Sequence, residues 1–330
     1  MEIIKILFGV IISFSVYKIW IVDPEIEPII KIVDFVVSIT NSFAGVPSEK
    51  INRNFINYMR RQPTFTDGKY IDGINIYHTL VKSLIDDYSI PVNVYLPENN
   101  EKTKLPVIFY IHGGGWVFPL LPQGNQFPKA GFIFIVVDYR LSPEFKHPIP
   151  LEDCFSVLNW IVNESNIEDM DLNRLYVMGD SAGGNLASTL SILNRERKTG
   201  IQIARQILIY PAIITRTIGD SKLKHENGYI LTGEKMRWYE NQYMRTEEDY
   251  NNPYVSPLAL NDMEGLPPAL FVFSTEDYLY SEGIEYMNKL SSSGIKTDEL
   301  TYKTAHGFLD FTSVGEVAKK DIINYLKKTE

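Results

Sequence analysis

The first stretch of the sequence that could do chemistry is a serine between glycines. Residues 179–185 read GDSAGGN and follow an apolar run that is typical of a buried strand. A serine on a tight turn between a strand and a helix exposes its hydroxyl for attack on a carbonyl carbon. Gly179 and Gly183 leave room for the close backbone packing of such a turn. The flanking strand and helix patterns favour a nucleophilic Ser181 over a phosphate-binding or purely structural glycine turn.

The second stretch is HGGGW, residues 112–116, directly after the apolar run PVIFYI. Three successive glycines can bring bare backbone N–H groups to one point, where they would stabilise a developing oxyanion. One such preorganised donor lowers a barrier by roughly 3 kcal/mol. A flexible turn and a phosphate cradle are the alternatives, but the Lys-Ser/Thr pair of a phosphate-binding P-loop does not follow.

Short apolar runs alternate with amphipathic segments from residue 74 onward. This alternation predicts an α/β fold with a mostly parallel central sheet and helices on both faces. The predicted strands are 74–80, 92–97, 106–111, 132–137, 174–178, 206–210 and 269–273. The predicted helices are 151–165, 281–292 and 314–328. Residues 212–262 interrupt the alternation and predict a cap insertion, with an aromatic-rich helix over 228–244.

Composition limits the classes of function. The chain has 330 residues, 45% of them hydrophobic, and a net charge of −9. It is long enough for one large domain or two ordinary ones. No basic run is present, so we expect no nucleic-acid partner. The one cysteine, Cys154, excludes an intramolecular disulfide and a cysteine-based zinc site, and the helix pattern around it predicts a core position.

The N-terminal segment has a different composition. Residues 3–22 are mostly apolar and carry no charge apart from Lys5 and Lys18, and their length predicts a helix that crosses a membrane once. A signal peptide and an interfacial or buried helix are the alternatives. The charges on each side favour a cytosolic N-terminus, which would place the catalytic domain on the lumenal side. We therefore predict a membrane anchor over 1–22, a helical segment over 23–73 and the main domain over 74–330.

Several ordered motifs of the chain resemble the hormone-sensitive-lipase-like branch of the α/β-hydrolases, which includes arylacetamide-deacetylase-like enzymes. The resemblance covers roughly residues 74–328. The motifs are HGGGW, DYRLSPE (138–144), GDSAGGN, NPYVSPL (252–258), GLPPAL (265–270), EDYL (276–279) and HGF (306–308). The resemblance implies the α/β-hydrolase fold, cleavage of carboxylic esters and no need for a metal or organic cofactor. The N-terminal anchor also resembles the arylacetamide-deacetylase group.

The catalytic base follows from the chain order Ser, Asp/Glu, His that this fold uses. Of the five histidines, two follow Ser181. His225 lies in the predicted cap insertion, before the strand that should precede the acid. His306 follows a strand-like stretch and precedes Gly307, so it is predicted in a loop at a strand end. His306 is therefore the expected base.

The catalytic acid should lie in the loop after strand 269–273. That loop supplies Glu276, Asp277 and Glu282. The family's Asp-x-Leu pattern matches Asp277, so the resemblance implies that residue as the acid. Thr275 and Tyr278 depart from the residues usual around the acid, and Glu276 remains a reserve candidate.

A second departure follows HGGGW. Residues 117–131 form a shorter connection than is usual and contain three prolines. Proline disfavours a regular helix, so the first crossover helix is predicted to be truncated.

These residues predict a serine esterase or lipase that acts through an acyl-enzyme. Ser181 attacks the carbonyl, His306 transfers its proton, and Asp277 orients the histidine. The expected oxyanion donors are the N–H groups of Gly113, Gly114 and Ala182, with His112, Gly115, Gly179 and Gly183 supporting the two motifs. The expected substrate is a hydrophobic small-molecule or lipid ester. The alternatives are an amidase or deacetylase with the same triad, and a non-catalytic ligand-binding protein.

Overall fold

A computed structural model describes residues 71–98, 103–120, 122, 126–310 and 312–329. The predicted anchor over 1–22 and the predicted helical segment up to residue 70 lie outside this range. Within the described ranges, no helix combines the length and hydrophobicity that a membrane crossing requires.

Eight strands form one sheet in the order β1-β2-β4-β3-β5-β6-β7-β8. β1 and β2 form an antiparallel hairpin, and β2 pairs antiparallel with β4, whereas every other neighbouring pair is parallel. The strands are β1 Ile74–Lys82, β2 Ser89–Pro97, β3 Leu105–Ile111, β4 Ile133–Val137, β5 Met170–Asp180, β6 Arg205–Ile209, β7 Ala269–Glu276 and β8 Thr297–Ala305. The predicted mostly parallel sheet is confirmed.

The central strands are apolar throughout because helices cover both faces of the sheet. Successive side chains point to opposite faces, so Phe109 of β3 packs in one buried cluster while Ile108 and Tyr110 pack in the other. The helices are α1 Gln126–Lys129, α2 Ile149–Asn163, α3 Ala182–Glu196, α4 Asp220–Lys224, α5 Gly233–Tyr243, α6 Tyr280–Ser292 and α7 Ser313–Lys328. Buried residues of α2, α3 and α6 contribute to the first cluster, and those of α1 and α7 to the second.

Two expectations about local structure have different outcomes. The first crossover helix is truncated as predicted, since α1 has 4 residues. The aromatic-rich helix of the insertion begins at Gly233 and not at 228, because Thr232 caps it by accepting a hydrogen bond from the N–H of Lys235. The segment between β6 and β7 holds α4, α5 and two short 3₁₀ helices, Glu247–Asn251 and Pro257–Ala259.

The strand register brings the sequence motifs to one edge of the sheet. Ile111 at the end of β3 pairs with Gly179 of β5, and Glu276 of β7 pairs with Ala305 at the end of β8. The carboxyl ends of parallel strands meet at the same edge, where open α/β sheets place their binding sites. The loops after β3, β5, β7 and β8 therefore share one edge.

Candidate active site

Ser181 stands on a sharp turn between β5 and α3. Its φ of 52° is in the left-handed region, which is strained for a residue with a side chain. The turn is held by the Ser181 N–H, which donates to the carbonyl of Ile209 at 2.9 Å. The two motif glycines are required by close contact, because a Cβ on Gly179 would lie 2.2 Å from the carbonyl oxygen of Gly183. A Cβ on Gly183 would lie 2.0 Å from the carbonyl oxygen of Ile111.

His306 links Ser181 to Asp277. Its Nε2 lies 2.9 Å from the Ser181 Oγ, and its Nδ1 lies 2.7 Å from the Asp277 Oδ2. The other carboxylate oxygen of Asp277 accepts the N–H of Leu279 at 2.9 Å, which fixes the carboxylate plane. Asp277 and His306 are both buried, and Tyr210 packs edge-on against the imidazole. In this arrangement the imidazole can accept the serine proton while the carboxylate holds its orientation.

The other candidate acids and the other candidate base lie elsewhere. The Glu276 carboxylate is 2.8 Å from the Lys224 ammonium and 3.7 Å from the His225 Nε2. Burial alone would raise the pKa of Glu276, but the hydrogen bond and charge of Lys224, with His225 and Thr275 acting in the same direction, together outweigh burial and leave the pKa below its usual value. Glu282 accepts the N–H of Ile213 at 2.7 Å and pairs with a lysine of α4.

The glycine loop after β3 corrects one expectation. Gly113 was expected to donate to the oxyanion, but its N–H donates to the Asp180 Oδ1 at 2.8 Å. Gly114 and Gly115 instead line the cavity beside Ser181. Their φ values of 108° and 61° are in the region that favours glycine. Ala182 is the first residue of α3, where helix N–H groups lack intrahelical acceptors.

The sequence predicted only a supporting role for Gly115 in the HGGGW motif and not a role as an oxyanion donor. The HGGGW motif alone does not show which of its three glycines has a free N–H. That depends on the hydrogen bond from Gly113 to Asp180, which ends the neighbouring strand β5. Gly115 also packs directly under the insertion, since a Cβ on it would lie 2.2 Å from the Tyr239 Cδ1.

His112 supports the glycine loop from behind. Its Nδ1–H donates to the carbonyl of Gly113 at 2.7 Å, and its ring stacks on Tyr139 with 4.3 Å between ring centres. The Tyr139 hydroxyl donates to the carbonyl of His112 at 2.9 Å. Burial lowers the pKa of His112 to about 4, so the imidazole is neutral near pH 7 and holds the loop without a charge.

Comparison with known proteins identifies the family. A family model described as the α/β-hydrolase fold matches residues 108–310. The chain belongs to that family. The expected resemblance to its hormone-sensitive-lipase-like group is confirmed. An α/β hydrolase of Acanthamoeba polyphaga mimivirus is 34% identical over 234 residues, which cover 68% of this chain and 67% of the relative.

Two further relatives are named as esterases. The arylesterase of Saccharolobus solfataricus is 30% identical over 244 residues, or 69% of this chain and 76% of the relative. The structure of an esterase from Pyrobaculum calidifontis matches with a TM-score of 0.71 and 29% identity, covering 84% of this chain and 89% of that one.

The hydrolase cavity at Ser181 has a volume of about 350 Å³. Its polar lining residues include Ser181, His306 and the carboxylates of Asp180 and Asp310, and most of the other side chains that line it are apolar. The apolar lining includes Leu120, Ile230, Leu231, Met236 and Tyr239. A cavity of this size and polarity accommodates a small hydrophobic ligand.

A larger depression of about 640 Å³ lies between residues 215–217 and α6. It is open to solvent, and its lining includes none of Ser181, Asp277, His306 or the glycine loop. The size of a cavity alone therefore does not identify the site. In the part of the chain that the structure describes, no cluster of three or more His, Cys, Asp or Glu side chains could hold a metal ion.

Proposed function

We propose that this α/β hydrolase cleaves carboxylic esters through Ser181, His306 and Asp277. The observation that carries the proposal is the position of the His306 imidazole, which is within hydrogen-bonding distance of both Ser181 and Asp277. The esterase names of the relatives support the same reaction class.

The proposed first half-reaction is acylation of Ser181. The Ser181 Oγ attacks the ester carbonyl carbon while the His306 Nε2 takes its proton, and Asp277 stabilises the resulting imidazolium. The N–H groups of Gly114 and Gly115, with that of Ala182, donate to the oxyanion. The tetrahedral intermediate then collapses, and His306 gives the proton to the leaving alkoxide, which departs as an alcohol.

The second half-reaction hydrolyses the acyl-enzyme. A water molecule loses its proton to His306 as its oxygen attacks the acyl carbon. The bond between the acyl carbon and the Ser181 Oγ breaks, the serine takes back the proton from His306, and a carboxylic acid is released. The chain's own groups supply each proton transfer of this sequence.

The cavity supports a hydrophobic ester as substrate. Met236 and Tyr239 come from α5, so the insertion supplies much of the apolar lining. Burial of apolar substrate surface contributes roughly 25 cal/mol per Å². Of the aromatic residues of α5, Tyr243 is instead fully buried and stacked on Trp116.

We also propose that residues 3–22 anchor the protein to a membrane in a single pass, with the catalytic domain on the lumenal side. The support is the apolar composition of this segment, its length and the charges that flank it. An anchor would keep the cavity close to lipid-soluble esters.

The proposed reaction is tested with a fluorophosphonate probe and p-nitrophenyl butyrate. Wild type should be labelled and should hydrolyse the ester, whereas Ser181→Ala should lose labelling and about six orders of magnitude of kcat. Ser191→Ala is the matched control, because Ser191 is a buried serine of α3, the helix that follows Ser181, and its hydroxyl donates to a carbonyl one turn earlier. Labelling of Ser181→Ala at the wild-type rate would overturn the proposal.

A further inference from the structure

Asp180 makes a connection that the proposed mechanism does not use. It is the last residue of β5 and immediately precedes Ser181. Its Oδ1 accepts two hydrogen bonds, from the Tyr110 hydroxyl at 2.8 Å and from the Gly113 N–H at 2.8 Å. Tyr110 belongs to β3, so the carboxylate joins the end of one strand to the end of its neighbour.

The glycine loop packs directly on this carboxylate. A Cβ on Gly113 would lie 2.4 Å from the Asp180 Oδ2, which leaves no space for any side chain between the loop and the carboxylate. On the far side, the loop closes on itself through the N–H of Phe118, which donates to the carbonyl of Gly114 at 2.9 Å. The Gly113 N–H is therefore the point at which the first residue of the loop is tied to the nucleophile turn.

We propose that Asp180 is a positioning residue that sets the distance between the attacking oxygen and the oxyanion donors of the glycine loop. This inference rests on the proposed function of Ser181. Asp180 and Ser181 share a peptide bond, while Gly113 and the proposed donor Gly114 share another. A single hydrogen bond between the Asp180 carboxylate and the Gly113 N–H thus couples the nucleophile and the oxyanion donors.

This coupling matters in the transition state more than in the substrate complex. Oxyanion donors act only when they meet the position that the charged oxygen will occupy, and a displacement of about 1 Å can lower the rate about 100-fold. Ground-state binding depends mainly on the apolar side chains of the insertion, and although Asp180 itself lines the cavity, its hydrogen bonds go to Tyr110 and Gly113 and not to the insertion. Loss of the hydrogen bond between Asp180 and Gly113 should therefore lower kcat and leave KM nearly unchanged.

Two substitutions separate hydrogen bonding from charge. Asp180→Asn keeps an oxygen that can accept from Gly113 and Tyr110, whereas Asp180→Ala removes it. We expect Asp180→Ala to lower kcat for p-nitrophenyl butyrate about 100-fold. KM should change less than about threefold, and Asp180→Asn should retain kcat within about tenfold. Asp171→Ala is the matched control, because Asp171 lies at the opposite end of β5 and pairs with Arg174; its kcat should equal that of wild type.

A trifluoromethyl ketone gives a readout that a merely structural role would not change. It forms a reversible tetrahedral adduct in which the Ser181 Oγ bonds to the ketone carbon, His306 takes the serine proton and the ketone oxygen becomes an oxyanion. Its inhibition constant should rise about 100-fold in Asp180→Ala, in parallel with the loss of kcat. If Asp180→Ala does not fold, Asp180→Ser serves, because its shorter side chain does not reach the Gly113 N–H.

The outcomes separate this inference from the proposed function. Wild type that neither hydrolyses esters nor reacts at Ser181 would overturn both. Active wild type with an Asp180→Ala or Asp180→Ser variant of near wild-type kcat would overturn only the positioning role. The positioning role would also be overturned if Asp180→Ala had a reduced kcat but an unchanged inhibition constant. Equal losses of kcat in Asp180→Asn and Asp180→Ala would overturn it as well.

Discussion

The carboxylates of Glu276 and Asp277 have different partners although the two residues are adjacent in the chain. Asp277 is 2.7 Å from the imidazole of His306, whereas Glu276 is 2.8 Å from the ammonium of Lys224. The chain leaves β7 at this point, so one carboxylate faces the site and its neighbour faces the insertion. Because their partners differ, substitution of each residue should have a different effect on activity.

Asp277→Asn should lower kcat by about four orders of magnitude, because an amide can favour the wrong tautomer of His306. Glu276→Gln should leave kcat within about threefold of wild type, since its partner Lys224 is outside the site. Steady-state kinetics on p-nitrophenyl butyrate compare the two. A larger loss of kcat in Glu276→Gln than in Asp277→Asn would assign the catalytic acid to Glu276.

Gly115→Ala should lower kcat about 100-fold, because the new methyl group would collide with the Tyr239 ring and displace a proposed oxyanion donor. Gly200→Ala is the matched control: its φ of 77° brings a similar backbone strain, but no atom lies within 4 Å of the added Cβ. Backbone strain alone should cost each variant about 1–2 kcal/mol of unfolding free energy, and the contact with Tyr239 should add to this cost in Gly115→Ala. A Gly115→Ala enzyme with unchanged kcat would contradict the proposed role of this loop.

Arg140→Met should lower the free energy of unfolding by about 3–5 kcal/mol, because it leaves the buried Asp153 carboxylate without a cation. The Arg140 guanidinium is 2.6 Å from Asp153 and 2.6 Å from Asp86 of the β1–β2 connection. Arg216→Met is the control, because its pair with Glu247 is exposed and should contribute about 0–1 kcal/mol. Urea denaturation measures both, and equal losses would contradict the structural role given to Arg140.

Asp180→Asn should remove a contribution that lowers the stability of the wild-type protein as the pH rises. Burial, together with the nearby Asp310 carboxylate, raises the pKa of Asp180 to about 7. The hydrogen bonds from Tyr110 and Gly113 and the nearby His306 lower this pKa but do not offset the increase. The unfolded-state pKa is about 3.9, so the native state holds more protons between about pH 4 and 7 and loses stability as the pH rises through that window.

Thermal unfolding at a series of pH values checks this expectation. From about pH 5 to 8, the Tm of wild type should fall more, or rise less, than that of Asp180→Asn. Glu168→Gln, at an exposed carboxylate, should give a curve parallel to wild type. Parallel curves for wild type and Asp180→Asn would show that Asp180 does not titrate in this window.

Removal of residues 1–22 should release the protein from membranes. The full chain should remain in the pellet after a carbonate wash, because a span of this length gains most by leaving water. A chain that begins at Asp23 should shift at least partly to the supernatant and still react with a fluorophosphonate. Release of the full chain by carbonate would contradict the spanning helix, and a shortened chain that does not fold would place the segment in the core.

Much of the site could be predicted because its motifs lie at the ends of strands. The apolar runs fix which segments enter the sheet, and the parallel register then places the loops that carry Ser181, Asp277 and His306 at one edge. The hydrogen bond that occupies the Gly113 N–H could not be predicted, since its acceptor Asp180 is 67 residues away in the chain. The start of α5 was also predicted wrongly, because Tyr229, Ile230 and Leu231 extend the apolar pattern to positions before the cap at Thr232.

The loop after β8 supplies the histidine, and β8 is one of the two edge strands of the described sheet and the last of its strands in chain order. Ser181 and His306 are 125 residues apart, so the pair forms only after a long segment of chain has folded between them. A nascent chain that stops before residue 306 carries the nucleophile turn but lacks the proposed base. Reaction of the proposed nucleophile with a fluorophosphonate would therefore report that β8 and the loop after it have docked on the sheet, and could be used to time that step during translation.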